Sequence, residues 1–152
     1  MRKNAKKGRG AATVAPALVL ILALCVFATA PAGFEVAFAG EIPEVRTLSI
    51  DEGYALVEEN SDNPDFVVLD VRMESEYRAG HLENALNFDY YAETFREDLD
   101  KLDKTKTYFV YCRSGNRSER AVEIMGGLGF TDTYNLGGGY AQWVKKGYPV
   151  EQ

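Results

Sequence analysis

The chain alternates short apolar runs with segments of helical periodicity. Residues 66–71 (FVVLDV) and 107–111 (TYFVY) are continuous apolar runs rich in β-branched and aromatic side chains, typical of strands buried on both faces. Shorter runs predict three more strands, at 47–50, near 86–88 and at 133–136. Apolar side chains at helical spacing predict helices at 51–57, 74–79, 91–99, 118–128 and 140–146.

This alternation predicts an α/β fold, in which a central, mostly parallel five-stranded sheet is flanked by helices on both faces. In such sheets, ligand-binding groups collect at the carboxyl ends of the strands. Asp70 lies at the end of the first buried run, and Cys112 follows directly after the second. Residues 137–139 (GGG) are expected to form a turn, and Trp143 is expected to lie in the core.

The first 39 residues have the pattern of an export signal. Residues 1–10 are basic and polar, residues 11–30 carry no charge, and the small-x-small sequence AFA ends at Ala39. These three features predict a secretory signal peptide cut after Ala39. The alternative is an uncleaved membrane anchor, because the uncharged run is about long enough to cross a bilayer. Both alternatives place the remainder in the periplasm or another extracytoplasmic space, with membrane contact only if the segment is retained.

The remainder divides into a short lead-in over residues 40–46 and one domain over residues 47–150, and it is strongly acidic. Of the 17 basic and 23 acidic residues, five basic and one acidic fall within residues 1–39, which leaves a formal charge of −10 on residues 40–152. Such a surface repels the phosphates of nucleic acids and of anionic lipids. We therefore expect no nucleic-acid partner, and we expect a monomer.

Two cysteines occur, and Cys25 lies within the uncharged N-terminal run. If that run is removed, Cys112 is left unpaired in a compartment that usually oxidises free thiols. The residues that follow Cys112 form a polar, cationic segment: Arg113, Ser114, Gly115, Asn116, Arg117 and Ser118. Curled around the sulfur, such a loop presents backbone N–H groups to an anion, and the next helix N-terminus and two arginines add positive charge. Cys112 is therefore predicted to be a reactive thiolate and not an inert buried cysteine.

A thiolate in an anion-binding loop suits sulfur transfer through a persulfide, and it also suits phosphate-ester hydrolysis or arsenate reduction. Cysteine phosphatases use a Cys-x5-Arg loop, whereas only four residues separate Cys112 from Arg117, which favours a smaller ligand. The single histidine, His81, is expected to be a hydrogen-bonding residue at the Gly80 turn and not a general base. Sulfur transfer from an anionic donor that releases sulfite needs no such base, and we expect neither a metal nor a cofactor.

Three blocks of sequence, in this order, resemble the rhodanese family of sulfurtransferases over residues 47–150. They are LDVR, EYRAGHL and ALN within residues 69–87, CRSGNRS at 112–118, and NLGGGYAQW with GYPV within residues 135–150. The resemblance implies a rhodanese-like fold, with Cys112 carrying the persulfide and the amides of residues 113–117 stabilising it. Asn84 departs from the pattern, because the family usually has glycine there, and we expect only a local adjustment of this turn.

Five further residues are candidates for a supporting role: Asp70, Arg72, Glu76, His81 and Gly138. The first three could orient the active loop, or they could form a structural set of ion pairs and hydrogen bonds at the turn between strand and helix. Gly138 borders the cysteine in the family, although a plain turn is the alternative. The sequence does not choose between the two arginines of the loop as the contact for an anionic donor.

We therefore predict an exported sulfurtransferase, in which Cys112 takes a sulfur atom from a small anionic donor such as thiosulfate. The acceptor would be cyanide, a thiol or a protein. The alternative is a persulfide carrier that binds a dedicated exported partner and turns over slowly alone. A third hypothesis, an arsenate reductase or phosphatase-like enzyme, predicts Cys112-dependent hydrolysis of p-nitrophenyl phosphate, and the short loop argues against it.

Overall fold

The computed structural model describes residues 45–152, so the predicted signal segment and residues 40–44 of the lead-in lie outside the described part. Arg46, assigned to the lead-in from the sequence, is instead the first residue of a strand. The elements, in chain order, are β1 (Arg46–Leu48), α1 (Ile50–Glu59), β2 (Phe66–Asp70), α2 (Glu74–Arg78), β3 (Leu86–Asn87), α3 (Phe95–Asp100), β4 (Thr107–Tyr111), α4 (Asn116–Gly127), β5 (Thr133–Leu136) and α5 (Gly139–Lys146).

The five strands form one sheet in the order β1-β5-β4-β2-β3, and every neighbouring pair is parallel. The prediction of a mostly parallel five-stranded sheet is confirmed, and the parallel arrangement extends to all five strands. β4 lies at the centre, between β5 and β2. The residue that follows β4 therefore lies in the middle of the carboxyl edge, where α/β sheets bind their ligands.

Helices cover both faces of the sheet, as predicted. On one face, Val110 belongs to a core cluster with Leu99 of α3 and Met125 of α4. On the other face, Phe109 belongs to a cluster with Trp143 of α5 and apolar residues of α1. Successive residues of β4 thus point to opposite faces and are both buried, which explains the continuous apolar run. Trp143 is 2% exposed, which confirms its expected place in the core.

The strand predicted over residues 47–50 ends at Leu48, because the next residue caps a helix. The Ser49 hydroxyl accepts a hydrogen bond from the Glu52 amide, and the Glu52 carboxylate accepts one from the Ser49 amide. This reciprocal capping box satisfies N–H groups that have no partner within the helix. Ile50 is therefore the first residue of α1, and its assignment to the strand was wrong.

The helix predicted over residues 91–99 begins only at Phe95. The residues before it form a turn, in which the Asp89 carboxylate accepts a hydrogen bond from the Tyr91 amide and the Asp89 carbonyl accepts one from the Ala92 amide. An aspartate that bonds the backbone two residues ahead favours a turn over a helix.

Within residues 45–152, no helix has both the length and the apolar character needed to span a bilayer.

Candidate active site

Cys112 lies between the end of β4 and the beginning of α4, at the centre of the carboxyl edge of the sheet. It is 1% exposed, and its side chain joins the apolar cluster beneath α3 and α4. The cysteine is therefore buried, but it is not surrounded by apolar atoms alone. The Gly115 amide donates a hydrogen bond to Cys112 Sγ over 3.2 Å, and the Ser118 hydroxyl oxygen lies 3.5 Å from the sulfur.

The loop around the sulfur is shorter than the sequence predicts. Gly115 adopts a left-handed conformation (φ 99°) at the N-cap of α4, which turns the chain and aims its amide at the sulfur. Asn116, Arg117 and Ser118 consequently lie in the first turn of α4, whereas the sequence assigned all three to the loop and began the helix at Ser118. The open loop is therefore only residues 113–115.

Two opposing effects act on the Cys112 thiol. Burial disfavours the charged form and raises its pKa, whereas hydrogen bonds from the Ser118 side chain and from the amides of Ser118, Ser114 and Gly115 favour it; the net pKa is below the ordinary value. Ser114 and Gly115 belong to the amide set 113–117 that the resemblance implies, whereas Ser118 lies just beyond that set. The positive end of the α4 dipole also favours the thiolate, because the first turn of this helix faces the sulfur.

Arg117 is held in an ion pair. Its guanidinium donates hydrogen bonds to both carboxylate oxygens of Glu76 on α2, over 3.0 and 3.2 Å, and both side chains are mostly buried. Burial opposes the ionisation of each, but the pair raises the pKa of Arg117 and lowers the pKa of Glu76. Glu76 thus joins α2 to the first turn of α4. By contrast, Arg113 is exposed, and no ion pair involves it among the described residues.

Asp70 and Arg72 form a buried pair where β2 ends. The Asp70 carboxylate accepts hydrogen bonds from the Arg72 amide over 2.8 Å and from its guanidinium over 2.6 to 3.0 Å. The guanidinium also donates to the Gly80 carbonyl over 2.7 Å and lies 3.9 Å from the centre of the Tyr140 ring. These contacts connect β2, the end of α2 and α5. For Asp70 and Arg72 they match the second alternative left by the sequence, a structural set of ion pairs and hydrogen bonds.

His81 contacts Tyr77 of α2 and Glu151 near the end of the domain. Its Nδ1 lies 3.1 Å from the Tyr77 carbonyl oxygen, and its Nε2 lies 3.4 Å from a carboxylate oxygen of Glu151. The backbones of His81 and Glu151 exchange two hydrogen bonds of 2.8 and 2.9 Å. The hydrogen-bonding role expected of His81 at this turn agrees with these contacts. Asn84 adopts φ 57° in the following turn, a conformation that asparagine tolerates better than most residues.

The glycine turn after β5 packs directly on the active loop. The Gly138 amide lies 3.2 Å from the position that a side-chain carbon on Gly115 would occupy. The first amides of α5 bond the base of the loop: Tyr140 N–H donates to the Cys112 carbonyl over 2.8 Å, and Ala141 N–H donates to the Arg113 carbonyl over 3.1 Å. Gly138 therefore lies beside the loop, the first of the two alternatives left by the sequence, and the N-terminus of α5 fixes the loop backbone.

One side chain at the site was not predicted from the sequence. Asn135 of β5 is 3% exposed, and its Oδ1 lies 2.7 Å from the Ser118 hydroxyl oxygen. Asn135 entered the prediction only as a member of the strand at 133–136 and of the block that begins NLGGG, without a role at the site. Among residues 45–152, no group of three or more His, Cys, Asp and Glu side chains is arranged to hold a metal ion.

Comparison with known proteins identifies the family. A family model described as "Rhodanese-like domain" matches residues 54–146, which include β2 to β5, the cysteine loop and α5. The chain belongs to the rhodanese-like domain family. The resemblance stated from the three sequence blocks is thereby confirmed, and the chain belongs to a family of the sulfur-transfer type.

Solved rhodanese-like structures share the fold. A rhodanese-related protein from Thermoplasma volcanium is 34% identical, with a TM-score of 0.59 over 70% of this chain and 97% of that one. A rhodanese-like domain from Anabaena sp. is 27% identical, with a TM-score of 0.60 over 69% of this chain and 77% of that one. The predicted rhodanese-like fold is therefore confirmed.

Among curated proteins, a tRNA uridine(34) hydroxylase of Enterobacter sp. (strain 638) is similar to this chain. It is 34% identical over an alignment of 120 residues, which covers 71% of this chain and 34% of the relative. A protein of the same name from Photorhabdus laumondii is 36% identical over 99 residues, or 28% of its length. The chain thus spans about a third of the length of these curated relatives.

Proposed function

We propose that this protein is a sulfurtransferase that carries sulfur as a persulfide on Cys112. The observation that carries the proposal is the surrounding of the Cys112 sulfur: a backbone amide at 3.2 Å and a hydroxyl at 3.5 Å, at the first turn of a helix. This arrangement favours a thiolate, which is the nucleophilic form of cysteine. In the persulfide the charge lies on the outer sulfur, one S–S bond beyond Sγ, where the amides of the loop and the N-terminus of α4 would stabilise it.

The proposed reaction has two steps. The Cys112 thiolate attacks the outer sulfur of thiosulfate, a new S–S bond forms, the S–S bond of the donor breaks, and sulfite leaves with the electron pair. In the second step the acceptor, cyanide for example, attacks the outer sulfur of Cys–S–S⁻; thiocyanate forms and the Cys112 thiolate returns. Both steps balance in atoms and charge without any proton transfer. A general base is therefore not required, and the ring nitrogens of His81 have Tyr77 and Glu151 as their partners.

Of the two arginines, Arg113 suits the contact with an anionic donor. The charge of Arg117 is compensated by Glu76 at 3.0 Å, whereas the exposed Arg113 follows the sulfur directly in the chain. A cation at the mouth of the site raises the local concentration of an anion, which matters on a domain of otherwise acidic charge. We infer that replacement of Arg113 by glutamine raises the KM for thiosulfate and leaves the intrinsic reactivity of Cys112 unchanged.

We further propose that residues 1–39 export the domain, which then acts as a monomer outside the cytoplasm. The basic, apolar and small-x-small segments support this proposal. Sequencing the N-terminus of the protein recovered from the periplasm would test it. A new terminus at Gly40 would support cleavage, an intact terminus in the membrane fraction would support a retained anchor, and protein recovered only from the cytoplasm would contradict export.

The decisive experiment is intact-mass analysis after incubation with thiosulfate. The purified protein is expected to gain about 32 Da, one sulfur atom, and to lose it again on addition of cyanide, whereas Cys112→Ser gains nothing. If Cys112→Ala retained full thiosulfate:cyanide activity, the assignment would fail. No gain in mass, with Cys112 still open to alkylation, would instead point to another donor or to a required partner.

A persulfide carrier is the second candidate, because Cys112 is only 1% exposed. A buried sulfur is difficult for a large acceptor to reach unless that acceptor is shaped to the site. A carrier would form the persulfide readily but transfer it slowly to small acceptors. Efficient turnover by the isolated protein with cyanide or small thiols, and no capture of a partner, would exclude this candidate.

The RNA chemistry in the curated relatives' name does not extend to this chain in our proposal. Those relatives are about three times as long as the part that aligns, and residues 40–152 carry a formal charge of −10. An acidic surface repels the phosphates of RNA. What the relatives and this chain share is the rhodanese-like domain, and the proposal therefore rests on the chemistry of that domain.

A further inference from the structure

Ser118 occupies the centre of a buried hydrogen-bond network beside the sulfur. Its hydroxyl oxygen lies 2.7 Å from Asn135 Oδ1, 3.0 Å from the Gly115 carbonyl oxygen and 3.5 Å from Cys112 Sγ. Ser118 is fully buried, so its hydroxyl has no contact with bulk water. A hydroxyl carries one proton and can donate it to only one of these acceptors at a time. The position of that proton therefore decides whether the sulfur receives a hydrogen bond from a side chain as well as from backbone amides.

Asn135 connects Ser118 to the edge of the sheet. The parallel register of β1 and β5 places Thr47 directly beside Asn135, and Asn135 Nδ2 donates a hydrogen bond to the Thr47 hydroxyl oxygen over 3.1 Å. With Oδ1 facing Ser118, the shortest contact of the serine hydroxyl is to Asn135. In this arrangement the Ser118 hydroxyl and the Asn135 NH₂ group both point away from the sulfur, which keeps its backbone amide donors, such as Gly115, but receives no hydrogen bond from a side chain.

A negative charge on the sulfur reverses the preference. A thiolate is a much stronger acceptor than a thiol, so the Ser118 proton is drawn toward it. If nothing else moved, Asn135 Oδ1 would be left buried without a donor, which is costly. Half a turn of the carboxamide removes that cost: Nδ2 donates to the Ser118 oxygen, Oδ1 accepts from the Thr47 hydroxyl, and the serine proton points at the sulfur. Every polar group is satisfied in both arrangements.

We propose that Asn135 is a positioning residue for Cys112: rotation of its carboxamide switches the Ser118 hydroxyl from Asn135 to the sulfur when the sulfur becomes charged. The exposed Thr47 hydroxyl, free to rotate, completes the relay at the sheet edge. Arg117, the charged residue next to Ser118 in the first turn of α4, is paired with Glu76 of α2.

This inference deepens the proposed function, but its test is the reactivity of the thiol and needs no sulfur donor. The rate of Cys112 alkylation by iodoacetamide is measured against pH in wild type and in Asn135→Asp. A carboxylate can only accept, so it holds the Ser118 proton away from the sulfur. At one pH unit below the midpoint of the wild-type alkylation profile, we expect Cys112 in Asn135→Asp to be alkylated about tenfold more slowly than in the wild type.

A second pair of variants separates the relay from a plain charge effect. In the Ser118→Ala background there is no hydroxyl to redirect, so the further change Asn135→Asp is expected to slow alkylation at most about threefold. Asn84→Asp, the same replacement at an exposed turn, is the matched control and is expected to leave the rate unchanged. Equal slowing by Asn135→Asp in both Ser118 backgrounds would overturn the proposal.

A measurement on unaltered protein keeps the proposal testable if Asn135→Asp does not fold. The side-chain NH₂ resonances of Asn135 are followed by NMR through the ionisation of Cys112. Because the carboxamide exchanges partners, we expect these resonances to shift with the same midpoint as Cys112 alkylation, and to stay constant in Cys112→Ser. Constant Asn135 resonances in the wild type would refute the switch, whether or not sulfur transfer is found.

Discussion

Gly139, the first residue of α5, offers a sharp test of how the active loop is held. A side-chain carbon at this position would overlap the Cys112 carbonyl oxygen and would lie 2.8 Å from both the Arg113 carbonyl carbon and the Ser114 nitrogen. These are backbone atoms, which cannot move aside as a flexible side chain can. Gly139 also has φ 57°, a region that alanine occupies at a cost of about 1–2 kcal/mol.

We expect Gly139→Ala to destabilise the domain by about 2–5 kcal/mol, the sum of that conformational cost and about 1–3 kcal/mol for overpacking. This is a large part of the roughly 5–15 kcal/mol that stabilises a typical domain. Because the displaced atoms belong to residues 112–114, the loop amides should lose their alignment on the sulfur. Cys112 alkylation by iodoacetamide at pH 7 should then slow, in the fraction that remains folded.

Two other glycines serve as matched controls. Gly129 has φ 94°, and no atom lies within 4 Å of the position that its side-chain carbon would occupy, so Gly129→Ala should show the conformational cost alone, about 1–2 kcal/mol. Gly127 lies in α4 with similar open space, and Gly127→Ala should be neutral or slightly stabilising. Urea unfolding measures all three. If Gly139→Ala matched Gly129→Ala in stability and left Cys112 reactivity unchanged, the inferred hold of α5 on the loop would be wrong.

The thiol, the Glu76 ion pair and the Ser49 cap each allow a further test. Because the pKa of Cys112 is lowered, the native state releases the thiol proton at a lower pH than the unfolded chain does. The free energy of unfolding of the wild type, relative to that of Cys112→Ala, should therefore rise from pH 6 to 9.5 in urea unfolding under reducing conditions. A difference that stays constant over this range would contradict the prediction. Glu76→Gln should cost about 1–2 kcal/mol at pH 7. Because the pKa of Glu76 is lowered, that difference should shrink in acid unfolding and disappear once the pH is below that lowered pKa. Ser49→Ala should cost about 1 kcal/mol in thermal unfolding through the lost helix cap and leave Cys112 alkylation unchanged.

Most of the fold could be predicted because its signals are local. The runs at 66–71 and 107–111 are apolar at nearly every position since both faces of a parallel sheet are covered. The predictions failed at boundaries, where single residues choose between two backbone conformations. Ser49 is compatible with a strand by propensity but accepts the Glu52 amide as a cap, and Gly115 caps α4 so that this helix begins two residues before the predicted start.

The site could be predicted only in part, since its contacts join residues that are distant in sequence. Cys112 and its loop form one continuous motif and were therefore visible. The pairing of the loop with its partners was not: Glu76, which the sequence offered as one of several supporting candidates, is 41 residues from Arg117, and Asn135 is 17 residues from Ser118. Their approach depends on the order β5-β4-β2, which does not follow the chain. The register that places Thr47 beside Asn135 is likewise set by pairing between the first and last strands.

The burial of Cys112 explains why groups that never touch the sulfur matter for its chemistry. Burial alone would keep the thiol protonated, and only the combined hydrogen bonds of the loop and the first turn of α4 reverse that preference. A net effect that results from opposing contributions is sensitive to each of them. Anything that moves the Gly115 amide or turns the Ser118 hydroxyl should therefore change the thiolate fraction, and both are controlled from β5 and α5, through Asn135 and through the amides that hold residues 112 and 113.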